Sequence, residues 1–366
     1  MSTPRYTFTL FGLMLGLAFP ARADIGVALV APLTGSSAVF GEQLSRGTTQ
    51  AIEDINAHGG VLGQKLVLQQ YDDACDPKQA VAVANQIASA NIKFVVGHFC
   101  SSAGLAAENV FMENEILVVS PAVGHPKFTE DADTFIFRVG LRNDLQGQAM
   151  ASYVQKNFAN KNVAILNDKG AYGVMIASTV KQKLNAAGIQ EVLYDSFSTG
   201  EKDFSTLITS LKQKHINVLV IGGYHTEIGL ITRQMHEQNL NATVIGGTPL
   251  MTNEFWAITG KMGEGTVMTF GPDPRTRAEA KAAVTSLRKS GFEPEGYTMY
   301  AYAAAQVIAE GITLAQDTHT RKVAATLRKG TYPTVIGDLR FNDKGDIQNP
   351  EMVMYQWHDG AYAQIK

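Results

Sequence analysis

Cysteine and tryptophan are scarce in this chain: two of each among 366 residues. There is no Cys-x-x-Cys pair, no His-Glu-x-x-His and no Gly-x-x-x-x-Gly-Lys-Ser/Thr, which removes the usual sequence basis for zinc sites, zincin hydrolysis and P-loop chemistry. No cluster of lysine and arginine marks a nucleic-acid face. Beyond the first twenty residues no run is long and apolar enough to cross a bilayer. A Pro/Gly/Ser-rich linker, a low-complexity tract and a repeat of fixed period are also missing. The eight histidines are scattered, and no nucleophile, base and oxyanion donors gather into one motif. The expectation is a protein without catalysis, cofactor or metal.

What is present begins with an export signal. Arg5 supplies a short positive region, Phe8 to Phe19 is apolar but too short to span a membrane, and Ala21-Arg22-Ala23 fits an A-x-A cleavage site. Residues 1–23 are therefore set aside from fold reasoning, and the remainder is expected in the periplasm, where disulfides persist. The net charge of −3 becomes more acidic when Arg5 and Arg22 are removed. The length left from Asp24 onward suits two domains or lobes.

The stretch Tyr71 to Ser102 organises the rest. Pro77 opens a helical pattern with Ala80, Val81, Val83, Ala84 and Ile87 along one side. Phe94-Val95-Val96-Gly97 reads as a buried strand. Cys100-Ser101-Ser102 then leads into a second helical run, Ala103 to Met112. A strand that gives way to small hydroxyl residues and a helix offers free N–H groups and the positive end of a dipole, a natural anion site. Cys75 and Cys100 lie on the loops that open these two helices, at one edge of the sheet, so they are placed to bridge. Two separate buried thiols are the other reading. A bridge closing this loop would stabilise by roughly 3–4 kcal/mol in the chain-entropy model. Asp72-Asp73 reads as a loop-fixing pair rather than a carboxylate dyad, and His98 and His225 read as hydrogen-bonded structural residues.

Strands and helices alternate along the whole chain, which predicts parallel, right-handed βαβ construction. Strands are expected at 25–31, 65–71, 94–97, 116–120 and 135–139, then again at 162–166, 191–194, 218–221 and 243–245. In the tail, Asp338 to Phe341 and Met352 to Trp357 are expected as two strands joined by a turn at 343–346. Ligands of such sheets bind beyond the carboxyl ends of the strands. Phe40, Ser101, Ala122, Tyr172, Tyr224 and Thr248 all follow strands, which points to one site between two lobes.

YDDACDPKQAVAVAN, GEKDFSTL, GGYHTE, FGPDP and FNDKGD, in that order, resemble the leucine/isoleucine/valine-binding proteins, type I periplasmic solute-binding proteins of ATP-driven importers. The likeness runs from Asp24 to Lys366. It implies an α/β fold of two doubly wound parallel-sheet lobes, joined by three crossovers near 142, 271 and 350. Lobe 1 would hold 24–142 and 272–350; lobe 2 would hold 143–271 and 351–366. It also implies a Cys75–Cys100 disulfide, capture of an amino acid or related carboxylate by hinge closure, a membrane permease as partner and a monomer that binds no nucleic acid.

The resemblance assigns roles residue by residue. Ser101 would hold the ligand carboxylate, and the Ala122 carbonyl would face the ammonium. Phe40 would lid the ligand, Phe99 would touch it, and Tyr172, Tyr224 and Tyr297 would close over it. Two positions depart from the pattern. Gly124 stands where relatives that bind branched-chain amino acids carry a threonine, and Thr248 where they carry an acidic partner for the ammonium. A buried ammonium without a carboxylate loses compensation, and a neutral hydrogen bond from Thr248 is weaker than a charge-assisted one. A carboxylic acid without the α-ammonium, such as an aromatic acid, is therefore an alternative ligand, and Glu108 or Asp168 are alternative ammonium partners. A sensor for a chemoreceptor and an exported enzyme are the competing functions; the enzyme requires an acid/base or metal site that the sequence does not supply.

Overall fold

The computed structural model describes residues 23–130 and 135–365. The export-signal reading thus falls, apart from Ala23, outside the described residues. The first half runs β1 (Ile25–Ala31), α1 (Ala38–Ala57), β2 (Leu66–Asp72), α2 (Pro77–Ser89), β3 (Phe94–Gly97), α3 (Ser101–Glu113), β4 (Leu117–Ser120), α4 (Lys127–Glu130) and β5 (Ile136–Arg138). These strands form a five-stranded sheet in the order β2-β1-β3-β4-β5, parallel throughout. β3 and β4 are apolar but for a terminal Gly or Ser and are buried at every position, as expected of strands covered on both faces. α2 starts where its sequence says: Asp76 accepts a hydrogen bond from the Gln79 N–H at 2.8 Å, and Pro77 fills the first helical position.

The pattern restarts with α5 (Asn143–Phe158), β6 (Val163–Asn167), α6 (Ala171–Ala186), β7 (Leu193–Ser196), α7 (Ser205–Gln213), β8 (Val218–Gly222), α8 (His225–Glu237), β9 (Thr243–Gly246), α9 (Asn253–Thr259) and β10 (Val267–Phe270). The tail adds α10 (Lys281–Lys289), α11 (Thr298–Ala315), α12 (Thr320–Leu327), β11 (Tyr332–Thr334), β12 (Gly337–Leu339), β13 (Val353–His358) and β14 (Ala361–Gln364). The second sheet has seven strands in the order β14-β13-β10-β9-β8-β6-β7. α11 returns to the first lobe, where it packs on α1, β3 and β4.

Two tail expectations need correction. β13 runs antiparallel to β10, and β14 antiparallel to β13, so the second sheet is not purely parallel. The expected hairpin between 338–341 and 352–357 does not form: β12 pairs with β11, and β13 crosses to the other sheet. The turn at 343–346 is drawn to β5 instead. There Arg138, fully buried, meets the Asp346 carboxylate, with Arg138 Nε 2.8 Å from Asp346 Oδ1. A buried guanidinium is tolerated only when paired, and this pair ties the turn to β5. β10, within a stretch the sequence left unassigned, lies between the parallel and antiparallel parts.

Strand order positions the site. In the first sheet the order reverses between β1 and β3, and in the second between β6 and β8. Such switch points open a crevice at the carboxyl ends of the strands. Just past β1 and β3, in the loops or first turns of the helices that follow, lie Phe40, Phe99 and Ser101; just past β6 and β8 lie Tyr172 and Tyr224.

Candidate ligand cleft

Ser101 is the first residue of α3 and is 2% exposed. Its helix start is anchored from behind. Cys75 and Cys100 are joined, with Cα atoms 5.4 Å apart. Asp73 accepts the Cys75 N–H at 2.9 Å and meets His98 Nδ1 at 2.6 Å, both side chains fully buried. Asp72 accepts the N–H groups of Leu33 at 2.9 Å and Ala74 at 2.8 Å. Both aspartates thus fix loops, and His98 is hydrogen-bonded within the first lobe. No carboxylate dyad forms there.

The aromatic side chains assigned from the sequence meet in one cluster between the lobes. Phe40 stacks on Phe99 with ring centroids 4.2 Å apart and planes 14° from parallel. Tyr297 stands edge-on to Phe99 at 5.1 Å. Tyr224 approaches Phe99 at 5.9 Å and Tyr172 at 5.4 Å. Burial raises the phenols of Tyr172 and Tyr224 well above their ordinary pKa, and that of Tyr297 as well. All three therefore remain neutral hydroxyls at any physiological pH.

Thr248, 1% exposed, accepts a hydrogen bond from the Tyr297 hydroxyl, again joining the two lobes. Gly247 beside it has a steric reason: a Cβ there would stand 1.9 Å from the Tyr172 hydroxyl. Gly124 has one too, because a Cβ there would stand 1.9 Å from Asn143 Oδ1. Ala122 lies in the turn after β4, its N–H directed at Ser120 Oγ at 3.3 Å.

Sequence reasoning missed Asn143 and Gln146, at the start of α5. Both are buried, at 1% and 2% exposure. Asn143 Nδ2 reaches Ser101 Oγ at 3.4 Å, and Gln146 Nε2 reaches Asn143 Oδ1 at 3.3 Å. Gln146 Oε1 accepts from the Tyr172 hydroxyl at 3.1 Å and the Thr248 N–H at 3.3 Å. The one available signal was their spacing of three on a helix that follows a crossover, which puts both on one face. His225, read as merely structural, also lies at the junction of the lobes. Its ring is edge-on to Phe40 at 5.0 Å, and its Nε2 is 3.2 Å from Glu254.

The two alternative ammonium partners fare differently. Glu108 is buried on α3, seven residues beyond Ser101 and so about 10 Å further along the helix axis. Asp168, at the end of β6, accepts the Gly170 N–H at 2.8 Å, and burial pushes its pKa up to about 6. Among the described residues no group of histidine, cysteine or acidic side chains is arranged to hold a metal ion, and no helix is long and apolar enough to cross a membrane.

Known proteins resemble this chain in sequence and in overall fold. A family model described as periplasmic binding protein matches residues 24–361. The Leu/Ile/Val-binding protein homolog 1 of Brucella suis is 43% identical over 93% of this chain and 92% of its own length. The solved leucine binding protein LivK of Thermotoga maritima superposes with a TM-score of 0.87 at 24% identity, covering 93% of this chain and 98% of that one. LivJ of Streptococcus pneumoniae, solved in complex with isoleucine, gives 0.84 at 21% identity, covering 93% of this chain and 99% of that one. A solute binding protein from R. palustris, solved in complex with benzoate, gives 0.83 at 17% identity, covering 93% of this chain and 95% of that one. The solved structures share the two-lobed fold.

Proposed function

The chain belongs to the periplasmic binding protein family, of the branched-chain amino acid importer type, and from that premise we propose that it captures a small carboxylate between its lobes and delivers it to a membrane permease. The ligand carboxylate sits on the Ser101 hydroxyl and the N–H groups opening α3, where the helix dipole favours negative charge. Phe40, Phe99, Tyr172, Tyr224 and Tyr297 enclose the rest of it. Ala122, Gly124 and Thr248 line the same pocket. The observation that carries this reading is the convergence of both switch-point crevices, where Tyr224 of one lobe meets Phe99 of the other with ring centroids 5.9 Å apart, two residues from Ser101.

Closure would turn about three crossovers near 142, 271 and 350, dividing the chain into 24–142 with 272–350 and 143–271 with 351–366. Leu141, Pro272 and Pro350 line one cleft of about 200 Å³, so the three segments run side by side. Arg142 bonds Asp346 at 3.0 Å and Asp144 at 2.9 Å, tying the first crossover to the tail. Such hinges permit a rigid-body closure, and a permease that recognises only the closed form would read ligand occupancy. The export signal would place this cycle in the periplasm, with the protein acting as a monomer.

The test is calorimetric titration of the chain from Asp24 onward, unfolded and refolded to remove carried-over ligand. Leucine, isoleucine, valine, phenylalanine, γ-aminobutyrate, benzoate and acids matched to the amino acids but lacking the amine form the panel. Binding of at least one member in the micromolar range or tighter is expected. Silence of the whole panel would overturn the carboxylate reading.

A further inference from the structure

The buried hydrogen-bond chain beside Ser101 has a fixed direction. Its far end is the backbone N–H of Thr248, which can only donate, so the Gln146 atom facing it at 3.3 Å must be the amide oxygen. The Tyr172 hydroxyl donates to the same oxygen. The Gln146 amide nitrogen is then turned toward Asn143, whose oxygen accepts at 3.3 Å. That leaves the Asn143 NH₂ turned toward Ser101 Oγ at 3.4 Å. A flip of either amide would set donor against donor. Asn143 also occupies the space of a side chain at position 124, where a Cβ would stand 1.9 Å from its oxygen and 2.6 Å from the Leu141 carbonyl.

The polar side chains along this bridge are uncharged: Ser101, Asn143, Gln146, Tyr172, Thr248 and Tyr297. Four of the buried carboxylates around the cleft each accept at least one hydrogen bond from the protein. Asp73 binds His98 and the Cys75 N–H, Asp168 the Gly170 N–H, Glu227 the Gly200 N–H at 2.9 Å, and Glu295 the Thr252 hydroxyl at 2.9 Å. Beside Ser101 the Asn143 amide directs a donor at the Ser101 hydroxyl. Donors favour a carboxylate and oppose an ammonium on the adjacent carbon.

We propose that Asn143 is a specificity-determining residue which grips the ligand carboxylate together with Ser101, that Gln146 is the positioning residue which fixes its amide, and that the preferred ligands are carboxylic acids without a charged amine on the α-carbon: hydroxy, oxo and plain aliphatic or aromatic acids. This rests on the carboxylate-capture reading above and sharpens it to a substrate class. Gly124 and Thr248 follow from it. The first makes room for Asn143, and the second supplies its N–H to orient Gln146 and its hydroxyl to Tyr297.

The experiment titrates leucine, its hydroxy and oxo acids, its deaminated acid and benzoate into refolded wild-type protein, Asn143→Asp, Asn143→Ala and Gln146→Ala, with melting curves for each. Wild type is expected to favour an acid without the amine over leucine by about tenfold or more, the size of one charge-assisted hydrogen bond. Asn143→Asp puts a carboxylate where the donor stood and should shift that ratio toward leucine by at least a similar factor. Asn143→Ala should weaken the amine-free acids and spare leucine, and Gln146→Ala should do so to a smaller extent. If Asn143→Asp does not fold, Asn143→Ala decides the question by the same ratio of affinities. A wild-type preference for leucine, or variants that weaken every ligand by one common factor, would overturn the inference and leave carboxylate capture standing. A silent panel would overturn both.

Discussion

The two lobes face the cleft with different materials. The five-stranded lobe offers a helix start held from behind by a disulfide, a buried Asp73–His98 pair and the Asp72 loop contacts. The seven-stranded lobe has no cysteine and brings side chains: Tyr172, Tyr224, Asn143, Gln146 and Thr248. Its glycines let these groups crowd together. Gly173 and Gly222 approach so closely that a Cβ on Gly222 would stand 2.2 Å from the Gly173 carbonyl. One lobe thus offers a helix start braced from behind, and the other a closely packed set of hydroxyl and amide side chains. On the proposed function, such an asymmetry would let closure draw on the seven-stranded lobe while the proposed anion site stays preorganised.

The comparison can be broken most sharply by removing one element from each side. Ser101→Ala combined with Tyr172→Ala should abolish binding of any acid found by titration, at least a hundredfold loss, while circular dichroism remains native. Unchanged affinity in that double variant would refute the site. The next largest effect belongs to the braced helix start. Replacing Cys75 and Cys100 by serine opens a loop of sequence separation 25 and should cost about 3–4 kcal/mol. Denaturant unfolding would check this, and a midpoint shift below 1 M urea would show that the cross-link contributes little there.

The seven-stranded lobe carries its own liability in Asp168. Its folded pKa, raised by burial to about 6, lies above that of an unfolded aspartate. The folded state therefore holds the proton more tightly, and ionisation destabilises it as pH rises from about 4 through 6. Asp168→Asn, which keeps an oxygen for the Gly170 N–H, should raise stability at pH 7–8 by at most about 3 kcal/mol. The gain should vanish near pH 4. A gain that grows on acidification would contradict the assignment. The smallest effect tests the seam between lobes. Gly124→Thr should lower the melting point, costing about 1–3 kcal/mol by overpacking against Asn143, and adding Asn143→Ala should restore part of it. Additive losses would mean that the two positions do not share space.

The lobes also differ in how far the sequence discloses them. β1 and β3 stand within the expected bounds because a continuous apolar run bounded by turns permits little else. α1 begins at Ala38 and so includes the fully buried Phe40. β10 escaped notice because four residues with a threonine among them carry no periodicity. The tail was mispaired because a strand's partner is decided by distant groups: Arg138 took Asp346, and β13 went to β10. In the cleft, Phe40, Tyr172 and Tyr224 stand out by their places after strands, whereas Phe99 and Tyr297 enter only through the family resemblance. Asn143 and Gln146 were not legible, since uncharged amides gain meaning only when register across two lobes sets them against Ser101, Tyr172 and Thr248.

The central claim is that one lobe binds and the other closes. Small-angle X-ray scattering of the refolded chain, with and without a saturating acid from the titration panel, tests it most directly. The account predicts a smaller radius of gyration on saturation for wild type, and weaker binding without that contraction for Tyr172→Ala. An identical scattering profile with and without ligand, or full contraction in Tyr172→Ala, would contradict it.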